Sequence, residues 1–314
     1  MSPDPLREQD SERRKLRAAR AAVAVATALA LLKLVTGVLT GSMAVIASAV
    51  DSCLDILMSG VNLVAIRKSH QPPDKQHPFG HGKFESLATL FQVTLIACSG
   101  VVLLLESVHR LAEGVELRRI EEGMGVLLVS VAASFAVSRH LRRVGKETES
   151  GALQADALHF SMDIYTNMAL LAGLALVRML ELPWLDPLMS AGVALFILRQ
   201  AWNLGKGSVG DILDEELPEQ YRSRIAEILG EHRSELVDYH RLRTRRAGSQ
   251  KIMDFHLTLC RSMTVAQSHR IVEELERQLK ERIKGADVII HVDPCARDHC
   301  PSPEKCSLSN HRKP

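Results

Sequence analysis

Between Ala21 and Leu204 the chain alternates long apolar runs with short polar loops, and from about Pro218 it changes to shorter amphipathic segments. A bilayer core is crossed by roughly 20 apolar residues in a helix. Six runs reach that length, at about 20–40, 43–66, 86–108, 122–140, 155–179 and 184–203. The first contains Lys33, and the fourth is shorter and bounded by charges. Trp184 and Trp202 flank the sixth, roughly 27 Å apart along a helix, which suits an aromatic at each membrane interface.

In the last third, Glu219–Arg233 and Val265–Ile283 repeat apolar positions with helical spacing, as at Ile271, Val272, Leu275 and Leu279. Tyr239–Arg245, Lys251–Leu259 and Ala286–Val292 alternate as strands do. The order α-β-β-α-β predicts a small α+β domain of ferredoxin-like (αββαβ) type, with its helices on one face of a three-stranded sheet. The predicted division is a cytoplasmic N-terminal segment (1–19), a six-helix transmembrane domain (20–204), a linker (205–217), a cytoplasmic α+β domain (218–294) and a Cys/His-containing tail (295–314).

Basic residues set the orientation. Arg7, Arg13, Arg14, Lys15, Arg17 and Arg20 precede the first run. Arg67, Lys68, Lys75 and Lys83 follow the second, and Arg139, Arg142, Arg143 and Lys146 follow the fourth. The connections on the other side are uncharged at 40–42, mixed at 110–122 and poor in bases at 178–186. Both termini are expected in the cytoplasm, which an even number of spans satisfies. The 314-residue chain has a net charge of only +2, so nucleic acid is not an expected partner. Its six cysteines do not form the framework of a disulfide-bonded secreted domain, and no cleavable signal is apparent.

Charge inside the apolar runs carries the chemistry. Asp51/Asp55 and His159/Asp163 are i,i+4 pairs, so each pair shares one helix face. Ionisable residues at membrane depth are expensive and mark function. Three carboxylates and one imidazole would make a four-ligand site for a divalent metal. Wetted span ends, or a pairing with Lys33, would account for the same residues without metal. Asp156 reads as a residue of the helix entrance and Cys53 as packing. In the loop 71–83, Asp74, His77 and His81 have a spacing that permits one metal without requiring it. The soluble domain offers His240, His256, His269, His291 and Asp293, with His291 and Asp293 on one side of a strand; scattered surface histidines are an equal reading. Cys295, His299, Cys300, Cys306 and His311 in the tail match no standard zinc module, and their role is open.

The strings "AVDSCLD" (49–55), "QPPDKQHPFGHGKFESLA" (71–88), "ADALHFSMD" (155–163), "RLRTRRAG" (241–248) and "VIIHVDPC" (288–295) occur in the order found in the cation diffusion facilitator family. The chain resembles that family's bacterial ferrous-iron/zinc efflux branch from about Ala21 to Pro294. The resemblance implies an intramembrane transport site of Asp51, Asp55, His159 and Asp163. It also implies an interface loop site of Asp74, His77 and His81, and a cytoplasmic binuclear site of His240, His256, His269, His291 and Asp293. Lys83 matches a lysine that locks a dimer through an aspartate, Asp214 by position. A homodimer, exchange of metal for protons, and a multi-pass place in a bacterial inner membrane follow from the same likeness. Zinc-dedicated relatives begin the second-span pair with His, whereas Asp51 stands here. That oxygen-rich set leaves Fe²⁺, Cd²⁺ or Mn²⁺ beside Zn²⁺.

The expectation is therefore a secondary transporter in the lipid bilayer that exports divalent metal. Metal is its substrate and regulator, protons are its counter-substrate, and no organic cofactor is expected. The alternative is a non-transporting membrane metal sensor or scaffold. An enzyme is not expected, because no HExxH or nucleophile motif occurs.

Overall fold

The computed structural model describes residues 5–40, 43–113, 124–180, 184–232 and 235–296, with a few helical stretches, Asp51 among them, described by backbone alone. The apolar runs become six helices: α1 (Pro5–Thr40), α2 (Met43–Ser69), α3 (Lys83–Glu113), α4 (Met124–Glu147), α5 (Gly151–Leu180) and α6 (Leu185–Ile212). They form one unit, Asp10–Gly210, and a second compact unit is built from Asp211 onward. Among the described residues, Asp10–Leu39 and Lys83–Ala112 are long and apolar enough to cross a membrane, each with a mean hydropathy of 2.2.

The helical unit is organised around α5, whose residues 152–161 are all buried apart from the half-buried Gln154. One side of α5, with Ala152, Ala157 and Phe160, packs on Ala18, Ala19, Ala22 and Ala26 of α1, Ile66 of α2 and Leu141 of α4. Its other side, with Ala155 and Leu158, meets Val93 and Ile96 of α3 and Ile197 and Ala201 of α6. Alanines at these contacts let backbones approach closely, which is how helices associate where lipid leaves no hydrophobic force between them. The exterior is apolar, with Leu57, Val64, Val102 and Leu105 at 62–65% exposed, while Ser59, Asn62, Thr89, Gln92 and Asp156 are at most 2% exposed. A polar interior under an apolar surface is the arrangement a bilayer solvent demands.

The second unit follows the expected order. α7 (Glu219–Glu231), β1 (Asp238–Ala247), β2 (Gln250–Leu259), α8 (Val265–Arg282) and β3 (Ala286–Pro294) form a mixed sheet of order β1-β2-β3. β1 and β2 are antiparallel, and β2 and β3 are parallel and directly paired. The split βαβ of a ferredoxin-like sheet has a strand between its parallel pair; here none intervenes. Strand alternation sends Met253, Phe255, Leu257 and Leu259 of β2 to one face, where they meet Ile225, Ile228 and Leu229 of α7 and Leu275 and Leu279 of α8. Each fully buried side chain of this kind contributes roughly 1.5–3 kcal/mol. A capping box at Thr264 and Gln267 starts α8. A bidentate pair from Arg282 to Glu231, at 2.6 and 2.7 Å, ties α8 to α7.

One boundary and one side chain differ from the sequence reading. α6 stays helical through Ile212, so the connection expected at 205–217 is reduced to residues 213–218. Gly205 and Gly207 break the apolar pattern there but not the helix. Cys53, expected as packing, is exposed on the surface of α2.

Gly285 turns the chain from α8 into β3 with φ of 73°. A Cβ there would lie 2.6 Å from the backbone oxygen of Ser249, and neither strand end can yield while the Gly285 carbonyl accepts from the Lys251 amide at 2.7 Å. Gly285→Ala is expected to destabilise this unit by about 1–3 kcal/mol, read as a lowered unfolding temperature of the purified protein. An unchanged temperature would show that the turn accommodates a side chain.

Candidate metal sites

α2 and α5 bring Asp55, His159 and Asp163 together, with one ligand atom from each inside a mutual distance of 4.8 Å. His159 Nε2 lies 2.8 Å from Asp55 Oδ1, and both side chains are largely buried, at 11% and 19% exposed. Because α5 is the packed centre of the unit, its i,i+4 ligand pair is held at depth by the small residues around it. Asp51 shares the α2 face by spacing, but its side chain lies outside the described residues. Lys33, weighed as an alternative partner, donates to Ser52 Oγ at 2.8 Å.

Asp156 corrects the sequence reading, which put it at a helix entrance. It is completely buried, receiving Ser59 Oγ of α2 at 2.9 Å and Gln92 Nε2 of α3 at 3.2 Å. Asn62 of α2 bonds Gln92 and the carbonyl of Ala152, the latter at 3.3 Å. Glu85 on the same face of α3 pairs with Lys15 of α1 at 3.1 Å, both nearly inaccessible. Four polar side chains inside apolar runs, Ser59, Asn62, Gln92 and Asp156, were the signal that could have revealed this network.

The loop between α2 and α3 gathers Asp74, His77 and His81 into a second cluster. Asp74 Oδ1 accepts the amides of Gln76 at 2.8 Å and His77 at 2.6 Å, an Asx-type turn that folds the loop back on itself. Gly80, with φ of 80°, then returns the chain so that His81 Nε2 stands 3.3 Å from Asp74 Oδ2. His81 is buried, and its Nδ1 lies 3.3 Å from the Gln71 carbonyl, which leaves Nε2 directed at Asp74. The His77 amide chiefly, with Gln76 and the two imidazoles, holds the Asp74 carboxyl below its ordinary value of 3.8.

In the second unit, register aligns His240 with His256 and His256 with His291 across three strands. The row lies on the sheet face away from the helices, since Phe255 and Leu257 on either side of His256 face the core. Ring centroids are 5.3 Å apart for His240–His256 and 4.7 Å for His256–His291. Asp293 lies 2.8 Å from His256 Nδ1, and 3.4 Å from both His240 Nε2 and His291 Nε2. A β-bulge follows His240 at once, with Arg241 at φ of 53°, the kind of irregularity that re-aims a side chain beside a site. His269 is exposed near the start of α8 and does not join this cluster. Cys295 is buried at the end of β3, its amide bonded to the Leu259 carbonyl at 2.9 Å. His299, Cys300, Cys306 and His311 lie outside the described residues. Lys83 opens α3, and Asp214, with φ of 60°, accepts Arg245 at 3.2 Å.

The bond from His256 is the first cause that holds Asp293 below 3.8, with His291 and His240 adding their charge and burial opposing. A depressed carboxyl contributes stability that is present above the unfolded value and lost as pH falls through the folded one. In metal-free protein, carboxyl carbon-13 NMR should therefore find Asp293 still ionised at pH 3.8 and protonated only below it. His256→Ala should return its midpoint toward 3.8 and weaken zinc binding at this cluster by at least about 100-fold. A wild-type midpoint at or above 3.8 would contradict the geometry.

The family model of the cation efflux transmembrane domain matches residues 19–213, and that of the cytoplasmic domain of cation efflux proteins matches residues 217–295. The chain is 38% identical over 277 residues to the cation-efflux pump FieF of Pectobacterium atrosepticum, covering 88% of this chain and 92% of that one. It is 36% identical over 285 residues to the FieF pump of Salmonella schwarzengrund, covering 89% and 93%. A solved chain of CzrB in its zinc form is 38% identical over 27% of this chain and 99% of its own, with a TM-score of 0.26. The two family models lie end to end over the helical unit and the mixed-sheet unit, and the chain belongs to the cation diffusion facilitator family of membrane cation-efflux proteins.

Proposed function

We infer that this protein exports divalent transition-metal ions from the cytoplasm in exchange for protons, as a homodimer with six membrane spans and both termini inside. The convergence of Asp55, His159 and Asp163 within the transmembrane domain carries the reading. Asp51, on the α2 face of Asp55, completes the transport site. Zn²⁺ is the first substrate proposed, and the three carboxylates admit Fe²⁺, Cd²⁺ or Mn²⁺ as well.

The exchange follows from the ligands. Without metal, the short contact of His159 with Asp55 holds one proton between an imidazole and a carboxylate. A divalent ion needs the lone pairs of both, so loading expels that proton. On the opposite side the steeper proton supply reverses the step and releases the metal. The site holds protons or metal, never both, which is the requirement for coupling the two fluxes. Backbone breaks are absent from α5 around the ligands, so alternation moves whole helices about α5 rather than unwinding it.

The loop and sheet clusters are proposed as cytoplasmic metal sites that bias the dimer. His269 lies on an element that packs against the other face of the sheet, so a second copy is the proposed source of that ligand. Lys83 and Asp214 are proposed as a charge interlock between copies, with Arg245 competing for the same carboxylate.

In proteoliposomes with a trapped pH dye, zinc uptake should be saturable and accompanied by opposite proton movement. Asp55→Asn and His159→Ala should each slow it by at least about 100-fold while leaving the second-unit cluster able to bind zinc. The apparent zinc affinity should fall by up to about tenfold per pH unit for each proton displaced. Wild-type flux without proton movement would end the antiport reading, and full flux in Asp55→Asn would remove the site from the mechanism.

A further inference from the structure

α4 and α5 line a cleft of about 600 Å³. Its character changes along its length. Phe135, Ile164 and Tyr165 line the end near the middle of both helices, and Tyr165 is fixed edge-on against Phe196 of α6 at 5.3 Å. Arg139, Arg142, Arg143 and Lys146 line the other end, where α4 approaches its C-terminus. From Arg139 to Lys146 the helix rises about 10 Å. The cations are far from compensated. Glu147 is shared between Arg143, at 3.6 Å, and Arg14. Arg142 donates to Ser161 Oγ at 3.3 Å, a neutral acceptor, and no carboxylate reaches Arg139 or Lys146 among the described residues.

An excess of basic residues on the inner side of a membrane accounts for their number but not for their shared cleft. The four cations fall at i, i+3, i+4 and i+7 on one α4 face, and the buried Ser138 beside them lines the same cleft. Guanidinium groups hold phosphate oxygens in bidentate fashion, and the adjoining apolar wall has no use for a small soluble anion. A ligand that presents a phosphate at the membrane surface and hydrocarbon toward its middle fits both ends. Basic pockets between helices at this depth take anionic headgroups.

We propose that the α4–α5 cleft is a binding site for an anionic glycerophospholipid of the cytoplasmic leaflet. Its phosphate sits among Arg139, Arg142, Arg143 and Lys146, and one acyl chain lies along Phe135 and Ile164. Ser161 is two residues from the transport ligand Asp163 on the cleft-facing turn of α5, so an occupied cleft braces the helix that carries that site. The proposal rests on the membrane orientation given under Proposed function, but not on what is transported.

Native mass spectrometry of the detergent-solubilised full chain, titrated with phosphatidylglycerol or with phosphatidylcholine of the same chains, tests it. The wild type should retain phosphatidylglycerol about tenfold or more over phosphatidylcholine, and the triple variant Arg139→Gln/Arg142→Gln/Arg143→Gln should lose that preference. A monodisperse elution profile and the helical content of the wild type report that the variant is folded; if it is not, Lys146→Gln should reduce the preference partially. Equal retention of both lipids by the wild type, or an undiminished preference in a folded variant, overturns the proposal. Displacement of bound phosphatidylglycerol by excess inorganic phosphate overturns the acyl-chain half and reassigns the site to a soluble anion. Loss of metal flux with lipid selectivity intact would count against the transport reading and leave this site standing.

Discussion

The contact between His159 and Asp55 is the constraint on which the helical unit is arranged. Each group, placed alone at this depth, would leave an ionisable side chain without compensation in a medium that cannot solvate it. Held 2.8 Å apart, each supplies what the other lacks. That distance fixes how α2 faces α5, and it can be kept only if the helices pack closely around it. The alanines of α1 and α5 provide the approach, and Phe160, beside His159 with ring centroids 6.0 Å apart, closes one side of the pair.

Satisfying one charged pair leads to further polar packing below it. Glu85, Thr89 and Gln92 recur at i, i+4 and i+7 on α3, facing Ser59 and Asn62 of α2 and Asp156 of α5. Hydrogen bonds join these helices, yet Asp156 Oδ2, Asn62 Oδ1 and Glu85 Oε1 receive no protein donor among the described residues. An acceptor buried in this way lowers stability by roughly 1–3 kcal/mol. Three of them along one set of facing helix stripes amount to a concentrated cost. Proteins break local rules of this kind mainly at functional sites, and here the break leads from the Lys15–Glu85 pair to the proposed transport ligands.

Legibility in the sequence followed the range of the interaction. Asp55 with its α2 partner, and His159 with Asp163, are encoded by one helical turn, so spacing alone placed them on shared faces. Asp74, His77 and His81 close a loop of a few residues and were equally local. Asp156 was misread because its neighbours come from α2 and α3, 97 and 64 residues away, and a single aspartate in the first turns of an apolar helix looks like a wetted end. Lys15 was hidden in a run of exposed arginines, although it is the buried member of that run. In the second unit the alternation of β2 told which face His256 takes. The row through His240, however, depends on a bulge that no period reveals. His269 entered the set as one more histidine of the same domain rather than through any pattern, and in one chain it stands apart.

The two main clusters share ligand types but differ in what holds them. Asp55 and the His159/Asp163 pair sit on separate helices whose contact is made by side chains, so sliding one helix by part of a turn changes the ligand distances and with them the affinity. His240, His256, His291 and Asp293 sit on three strands joined by continuous ladders, and those distances are fixed by backbone hydrogen bonds. A ligand shifts a conformational equilibrium only as far as its affinity differs between the states. The helical cluster can supply that difference within a single chain, as a carrier requires. The sheet cluster cannot, because nothing in one copy changes its geometry. Any influence it has on conformation must come from a ligand supplied across a movable boundary, and the exposed N-terminal part of α8 with His269 is where the chain offers one.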